Sequence, residues 1–177
     1  MHCMYAHRPV RNDDFAIISA FPQNESELFY MYPRWTYPVL PAAIEALALQ
    51  RHAATVITLS DEVVGYSNLY DVQQGSHCWL GNVIISPAHR RKGAGAYLIQ
   101  TMMEKARKEA GVRQLKLMCH NINTRALLLY RKLGFKPFDA EEMQDKAGNN
   151  LLLIKMGIKL IPQQDAQFWS WEKRYEL

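Results

Sequence analysis

Apolar residues recur along the chain with two spacings, and the spacing changes from segment to segment. A spacing of three to four predicts amphipathic helices, and alternation of apolar and polar residues predicts half-buried strands. Alternation dominates residues 54–85, where polar turns at 60–62 and 73–76 predict three successive antiparallel strands. The predicted strands are 5–10, 55–59, 63–72, 77–85, 115–119, 135–138 and 151–156, and the predicted helices are 12–21, 42–52, 93–110 and 124–133. The helix at 93–110 predicts a parallel pairing of the strands on either side of it.

The segment from residue 22 to residue 41 fits neither spacing. It is dense in aromatic residues and is interrupted by Pro33, Pro38 and Pro41. Prolines at that frequency prevent one continuous helix, so we expect a short helical turn and an irregular connection. Such a segment suits the wall of a binding cleft, although each aromatic residue by itself is better explained by plugging the end of the core.

Composition restricts the class of protein. A chain of 177 residues with 49% hydrophobic and 21% charged residues predicts one globular domain, assigned here to residues 1–161, with a tail at 162–177. The tail is rich in aromatic residues and would fold back or contact a partner, so monomer and homodimer both remain open. No apolar run suits a membrane span or a signal peptide, and three cysteines without metal-ligand spacing predict free thiols, no metal site and a cytoplasmic protein.

Candidate chemistry concentrates in residues 83–96, which read VIISPAHRRKGAGA. The order is an apolar strand, a basic loop and a helix that opens at Gly93. The first turn of a helix presents free N–H groups and the positive end of the helix dipole, both of which favour anions. Gly93 and Gly95 permit a sharp turn and close approach of a ligand, and Arg90, Arg91 and Lys92 add positive charge. The alternative is a solvated basic turn before an ordinary surface helix.

Downstream features place this stretch in a larger pattern. After Arg90-x-x-Gly93-x-Gly95 come a long helix, the strand LKLMC, Asn123-x-x-Ala126 and Tyr130-x-x-Gly134-Phe135. In this order and at these spacings the set resembles the GCN5-related N-acetyltransferase (GNAT) family, most strongly over residues 79–138. The resemblance implies a mixed α and β fold. Its twisted, mostly antiparallel sheet would be splayed between the fourth and fifth strands, with helices on both faces.

The resemblance also implies acetyl-CoA as acyl donor, without a metal. Backbone N–H groups of the loop and first helical turn would hold the CoA pyrophosphate, the preceding strand would bind the pantetheine arm and polarise the acetyl carbonyl, and Asn123 would contact the arm. Tyr130 would protonate the departing thiolate as general acid. The residues implied to contact the donor are Val83, Ile84, Ile85, Arg90, Arg91, Lys92, Gly93, Ala94, Gly95, Ala96, Asn123 and Tyr130. From the residues alone, Asn123 is a helix cap and Tyr130 a half-buried aromatic residue.

The implied reaction is direct attack by an amine, and the amine must first lose a proton. Many family members carry a glutamate on the fourth strand, whereas this strand reads HCWLGNVII. The candidate bases are Glu27, Asp71, His77 and His120, acting directly or through water. Cys119 lies on the inward register of an apolar strand, which favours a packed thiol over an acyl-cysteine route.

The acceptor is expected to lie against the aromatic segment and the end of the preceding strand. Its wall would contain Tyr30, Tyr32, Trp35 and Asp71. The three aromatic rings would contact an amine by cation–π attraction, and Glu27 would pair with its charge. A small amine, a peptide N-terminus and a lysine side chain all remain possible. The alternatives to an active enzyme are a catalytically silent CoA-binding module and, further behind, a nucleic-acid-binding domain that uses the basic loop.

Overall fold

A computed structural model describes residues 5–160 of the chain. It contains five helices and seven strands in the order β1 (Tyr5–Pro9), α1 (Asp14–Ser19), α2 (Glu25–Met31), α3 (Pro41–Ala48), β2 (His52–Leu59), β3 (Glu62–Gln73), β4 (His77–Ile85), α4 (Ala94–Lys108), β5 (Gln114–His120), α5 (Thr124–Lys132), β6 (Lys136–Gln144) and β7 (Asn150–Lys159). The strands form one sheet in the order β1-β2-β3-β4-β5-β7-β6. All pairings are antiparallel except β4 with β5, which confirms the predicted parallel pair.

The sheet carries helices on both faces, as expected. One face is covered by α4 and α5, whose apolar side chains join those of β3, β4 and β5 in a core that includes Leu98, Met102 and Leu117. The other face is covered by α1, α2 and α3, and its core includes Phe15, Ile18 and Tyr66. The helical spacing in residues 12–21 therefore marked a buried face correctly.

The parallel pairing of β4 with β5 is short. It joins His77 to Gln114 and ends where Leu80 meets Leu117. Residues 81–85 of β4 and 118–120 of β5 continue beyond that point without pairing to each other, so the sheet opens between its fourth and fifth strands. The expected splay is confirmed.

A bulge at Asn82 lies at the start of this opening. Between Asn68 and Tyr66 β3 advances two residues, while β4 advances three from Gly81 to Ile84, and Asn82 takes a positive φ of 55°. One extra residue reverses which side chains face which layer. Cys78 and Leu80 before the bulge pack towards α4, whereas Ile84 after it packs towards α1, α2 and α3.

Several predicted boundaries differ from the observed ones. The helix predicted at 42–52 begins at Pro41 and ends at Ala48, because proline suits the first helical position and residues from His52 onward join β2. The last two strands are longer than their apolar runs and form a hairpin, with β7 between β5 and β6. Cys78 and Cys119 are free thiols as expected. Cys3 and the predicted tail at 162–177 lie outside the described residues.

A buried ion pair fixes the start of α1 to the first strand. Asp14 is only 3% exposed, and it accepts hydrogen bonds from Arg8 Nη1 at 2.7 Å, Arg8 Nη2 at 2.8 Å and the Arg11 N–H at 2.7 Å. Burial opposes ionisation of Asp14, but the hydrogen bonds and the charges of Arg8 and Arg11 together outweigh it and lower the pKa of this carboxyl.

Replacing Asp14 by Asn is therefore expected to lower the free energy of unfolding by about 2 kcal/mol at pH 7, since it leaves a partly buried guanidinium without a charged partner. The stabilisation requires ionised Asp14, so it is present above the unfolded-state pKa of about 3.9 and is lost as the pH falls through the lower folded-state pKa. Urea unfolding between pH 7 and pH 2 checks this. D14N should show a flatter acid limb than the wild type, and D13N, which changes a neighbouring carboxylate without a capping hydrogen bond, should follow the wild type. Equal acid limbs in all three proteins would contradict the assignment.

Candidate functional site at the open edge of β4

Helix α2 lies across the open end of β4 and contacts both separated strands. On the β4 side, Asn82 Nδ2 donates a 3.1 Å hydrogen bond to the carbonyl of Met31 at the end of the helix. On the β5 side, the ring of Phe29 lies 4.5 Å from that of His120, and the ring of Tyr30 lies 6.0 Å from it. The segment that the sequence marked as a cleft wall is thus held over the splay.

The sequence forms this helix through a local capping pattern. Asn24 precedes the helix and its side chain accepts a 2.9 Å hydrogen bond from the N–H of Glu27. The Glu27 carboxylate in turn accepts a 2.9 Å bond from the N–H of Gln23. Asn-x-x-Glu therefore satisfies backbone donors at the helix start in the manner of a capping box.

The Glu27 carboxylate is also bound by Arg90. Arg90 Nη1 and Nη2 donate to its two oxygens at 2.6 Å and 2.9 Å, while Arg90 also donates to the carbonyls of Ile85 and Phe21. The hydrogen bonds from Arg90 are the main cause of a lowered pKa at Glu27, which burial opposes. A carboxylate with both oxygens engaged and a lowered pKa is a weak proton acceptor, and the guanidinium of this pair is already occupied by protein acceptors.

That loop has the backbone geometry of an anion site. Arg91 and Gly93 take positive φ values of 60° and 88°, and the first intrahelical bond of α4 runs from Tyr97 N–H to Gly93 carbonyl. The N–H groups of Ala94, Gly95 and Ala96 precede that bond and have no helical acceptor, and no side chain caps them. Backbone donors at the start of α4 therefore face the loop without an acceptor in the protein.

Two titratable side chains sit at the β5 side of the opening. His120 is 4% exposed, its Nε2 is buried without a hydrogen-bond partner, and burial lowers its pKa. Tyr130 on α5 is 7% exposed, and its ring lies edge-on to that of Phe135 at 5.8 Å. Burial, followed by the proximity of Cys119, raises the pKa of Tyr130. At neutral pH the site therefore holds an uncharged imidazole and a protonated phenol.

Comparison with known proteins decides the family. The model of the acetyltransferase (GNAT) family matches residues 18–135, which include the opening, the loop and α5. The chain belongs to the GNAT family. A curated relative, the uncharacterized N-acetyltransferase YobR of Bacillus subtilis, is 34% identical over 67 residues, which are 38% of this chain and 27% of that protein. The chain therefore matches only about a quarter of the length of this relative.

Solved structures agree on the GNAT fold. The chain is similar to yncA from Salmonella typhimurium, solved with acetyl-CoA, at a TM-score of 0.71 and 22% identity over 90% of this chain and 95% of that one. It is also similar to the spermidine N-acetyltransferase of Vibrio cholerae, solved with CoA and spermine, at a TM-score of 0.75 and 17% identity over 88% and 95% of the two chains. Identities in this range establish the architecture.

The remaining residues expected at a GNAT site are distributed unevenly. Val83, Ile84 and Ile85 lie on the part of β4 that does not pair with β5, and Asn123 caps α5 by accepting from the Ala126 N–H at 3.4 Å.

Asp71 and His77 instead lie at the opposite end of β4, where it pairs with both β3 and β5. Lys92 Nζ donates to the carbonyl of Ala88 within the loop. Tyr32 and Trp35 lie against each other at 4.7 Å just after α2.

Sequence reasoning missed a buried polar chain beneath α2. Asn68 Nδ2 donates to Asn82 Oδ1 at 2.9 Å and to the Tyr66 hydroxyl at 3.0 Å. The signal was present in the dipeptide Gly81-Asn82 inside an otherwise apolar strand, because glycine and asparagine there indicate a bulge.

Within residues 5–160, no helix is long and apolar enough to cross a membrane, and no group of three His, Cys, Asp or Glu residues is placed to hold a metal ion.

The Glu27–Arg90 pair should couple α2 energetically to the loop after β4. E27Q and R90M are each expected to lower the free energy of unfolding by about 1–2 kcal/mol, with a coupling energy of about 1 kcal/mol because the pair is bidentate and partly buried. Urea unfolding of the two single variants and the double variant measures this coupling. Glu25 and Lys146 provide the matched control, since their pair is 3.0 Å long but with side chains 62% and 40% exposed. The E25Q and K146M cycle should give a coupling below about 0.5 kcal/mol. Strictly additive effects of E27Q and R90M would show that this ion pair does not couple α2 to the loop after β4.

Proposed function

We propose that this GNAT protein is an acetyl-CoA-dependent N-acetyltransferase that moves the acetyl group directly to an amine in a ternary complex. The observation that carries the proposal is the open end of β4. Beyond Leu80 its backbone does not pair with β5, and it leads towards the free N–H groups at the start of α4. An extended donor with amide groups at one end and phosphates at the other has hydrogen-bonding partners along this path.

Donor binding is assigned to three parts of the chain. Residues 83–85 would pair with the pantetheine arm through their backbone, and residues 91–96 would hold the pyrophosphate, mainly through N–H groups. Asn123 would contact the arm from the start of α5 while it caps the helix. Arg90 is better assigned to holding Glu27 and the acceptor wall, because its guanidinium already makes four hydrogen bonds, two to the Glu27 carboxylate and one each to the carbonyls of Ile85 and Phe21.

Proton transfer is assigned to His120 and Tyr130. In the transfer, the amine nitrogen forms a bond to the acyl carbon, the carbon–sulfur bond breaks, and its electron pair stays on sulfur. His120, uncharged because burial lowers its pKa, accepts the proton that the amine loses, directly or through water. Tyr130 keeps its proton because burial raises its pKa, and it donates that proton to the thiolate. Donors from the β4 backbone would stabilise negative charge on the acyl oxygen.

An acyl-cysteine route is disfavoured by the state of Cys119. Burial raises the pKa of its thiol to about 12, and the thiol donates to the carbonyls of His120 and Asn123 at 3.7 Å and 3.9 Å. A nucleophilic cysteine requires a thiolate. Direct attack by the amine is therefore the favoured chemistry.

The acceptor is a primary amine bound on the α2 side of the opening. Tyr30, Tyr32 and Trp35 line that side, and Glu27 holds the wall in position rather than acting as base. The relative from Vibrio cholerae carries the name spermidine N-acetyltransferase, which supports amine acceptors in general. A small amine, a peptide N-terminus and a lysine side chain are all compatible with an aromatic wall.

Acetyl-CoA and CoA are expected to raise the melting temperature by several degrees, since a ligand at 100 times its Kd adds about 2.7 kcal/mol to the stability. Release of free thiol from acetyl-CoA in the presence of an amine panel then measures turnover. Stabilisation without turnover of any amine would favour a silent CoA-binding module, and binding to DNA with a steep salt dependence in place of CoA would favour the nucleic-acid alternative.

Two glycines provide a matched control for the donor loop. Gly93 and Gly148 have similar positive φ values of 88° and 83°, and nothing lies within 4 Å of a Cβ added at either. G93A and G148A should therefore lose similar stability, about 1 kcal/mol. Only G93A should weaken the stabilisation by CoA. Equal CoA affinity in both variants would remove the loop from the donor site.

The pH profile distinguishes the two proton-transfer roles. In the wild type, log(kcat/KM) should fall at low pH with a midpoint below the ordinary histidine pKa of about 6.5, since burial lowers the pKa of His120. H120Q should lower kcat/KM about 100-fold and should no longer show the decrease at low pH, because the general base is absent. Y130F should lower kcat by a similar factor but should still show that decrease. An H120Q profile parallel to that of the wild type would exclude His120 as base, and unchanged kcat in Y130F would exclude Tyr130 as acid.

A further inference from the structure

Three buried side-chain polar atoms within residues 5–160 have no hydrogen-bond partner. They are Arg51 Nε, Asn68 Oδ1 and His120 Nε2. Buried polar groups are normally satisfied, so each exception calls for a water molecule or a ligand. The proposed function uses His120 and leaves a donor on Arg51 and an acceptor on Asn68.

The orientation of the Asn68 amide is fixed by a chain of hydrogen bonds. The Met31 carbonyl can only accept, so it selects Asn82 Nδ2 as its donor and leaves Asn82 Oδ1 as an acceptor. That oxygen requires Asn68 Nδ2 as its donor. Asn68 Oδ1 is therefore the atom left over, on a residue that is 0% exposed, and only an N–H or O–H group can satisfy it.

The free acceptor lies directly over Gly81, next to the bulge. A Cβ on Gly81 would lie 2.9 Å from Asn68 Oδ1 and 3.0 Å from Cδ1 of Tyr70. Both side chains thus occupy the space above this glycine on the face that α2 covers. Gly81 is adjacent to the part of β4 that does not pair with β5, where the acyl group of the donor is proposed to lie.

The free donor belongs to a cation without a charged partner. The Arg51 guanidinium carbon lies 4.4 Å from the centre of the Tyr70 ring. Among the described residues no carboxylate pairs with Arg51, whereas Arg8 and Arg90 both have one. The Tyr70 ring and Asn68 Oδ1 both lie over Gly81, so Arg51 and Asn68 are on the same side of the sheet. A partly desolvated guanidinium with free donors is a recognition group for carboxylates.

We propose that the acceptor is a small amine that also carries a carboxylate, such as a free amino acid. The inference rests on the proposed acetyl transfer and selects among its acceptors. Asn68 Oδ1 accepts a hydrogen bond from the amine, Arg51 binds the carboxylate, and the Tyr70 ring contacts the carbon skeleton between them. Polyamines are disfavoured, because they bring further positive charge to Arg51 and leave its donor unsatisfied.

The test compares amine acceptors that carry a carboxylate with acceptors that lack one. Free amino acids, their carboxamides, the corresponding decarboxylated amines, spermidine and a lysine-containing peptide are assayed by thiol release at equal concentrations of uncharged amine. For aromatic acceptors the set is phenylalanine, phenylalaninamide and phenylethylamine. The best substrates should be carboxylates, about tenfold or more above their own carboxamides in kcat/KM, since a site built for a polar group discriminates against analogues that lack it.

Variants of Arg51 connect this selectivity to the guanidinium. R51Q should abolish the preference for the acid over its carboxamide, with little change in turnover of the carboxamide, and R51K should retain part of it. R34Q, which removes an exposed positive charge from the aromatic segment at residues 22–41, should leave the preference unchanged. N68S should raise KM for acid and carboxamide alike without raising KM for acetyl-CoA. S67A should spare both KM values, because Ser67 donates to the carbonyl of the same Gly81 without facing α2.

The outcomes separate this inference from the proposed function. Stabilisation by acetyl-CoA with best turnover of polyamines, peptides or carboxamides would overturn the carboxylate inference and leave the acetyltransferase standing. An acid preference that survives in R51Q would also overturn it, and if R51Q fails to fold, R51K and the wild-type ranking still decide. Absence of CoA binding and of thiol release with every acceptor would overturn both.

Discussion

The structure depends on where two parallel strands stop pairing. β4 and β5 share hydrogen bonds only over their first residues, from His77 to Leu80 on β4. Beyond that point, the backbone N–H and C=O groups on this edge of β4 have no partner on β5, and the opening lies between the two cores. Everything proposed for the site uses this opening: the donor extends the sheet where β5 departs, the start of α4 lies beyond the end of β4, and α2 spans the gap on the other face.

The covering helix is held by interactions of different kinds, and this explains its separate roles. An asparagine side chain fixes its end to the bulge, aromatic packing fixes its middle to His120, and the Glu27–Arg90 pair fixes its start to the loop after β4. Because the same arginine also binds the carbonyls of Ile85 and Phe21, one side chain joins the end of β4 to the segment before α2. Arg90, a candidate phosphate ligand in the sequence, is thus paired with a carboxylate of α2.

The sequence predicted the fold to the extent that local patterns determine it. The alternation in β2, β3 and β4, the helical face of α4, and Gly93 ahead of that helix all follow from spacing and backbone preference, and the ordered motifs supplied the splay. The pairing of Arg90 with Glu27 could not be predicted in this way, since the two residues are 63 positions apart and no local pattern connects them. Pairing of β7 between β5 and β6 is likewise a long-range outcome. The polar chain through Asn68 was hidden because only its bulge leaves a trace in sequence.

The bulge at Asn82 also sets a limit on how this chain can change. Residues on either side of it belong to different cores, with Leu80 facing α4 and Ile84 facing α2. Deleting one residue here would restore regular alternation and exchange the two cores along the rest of the strand. The connection between α2 and α3, by contrast, is irregular, includes a cis peptide bond at Tyr37–Pro38, and lies outside the sheet. The length of that connection can therefore change without shifting the register of the sheet, whereas the length of β4 must be kept.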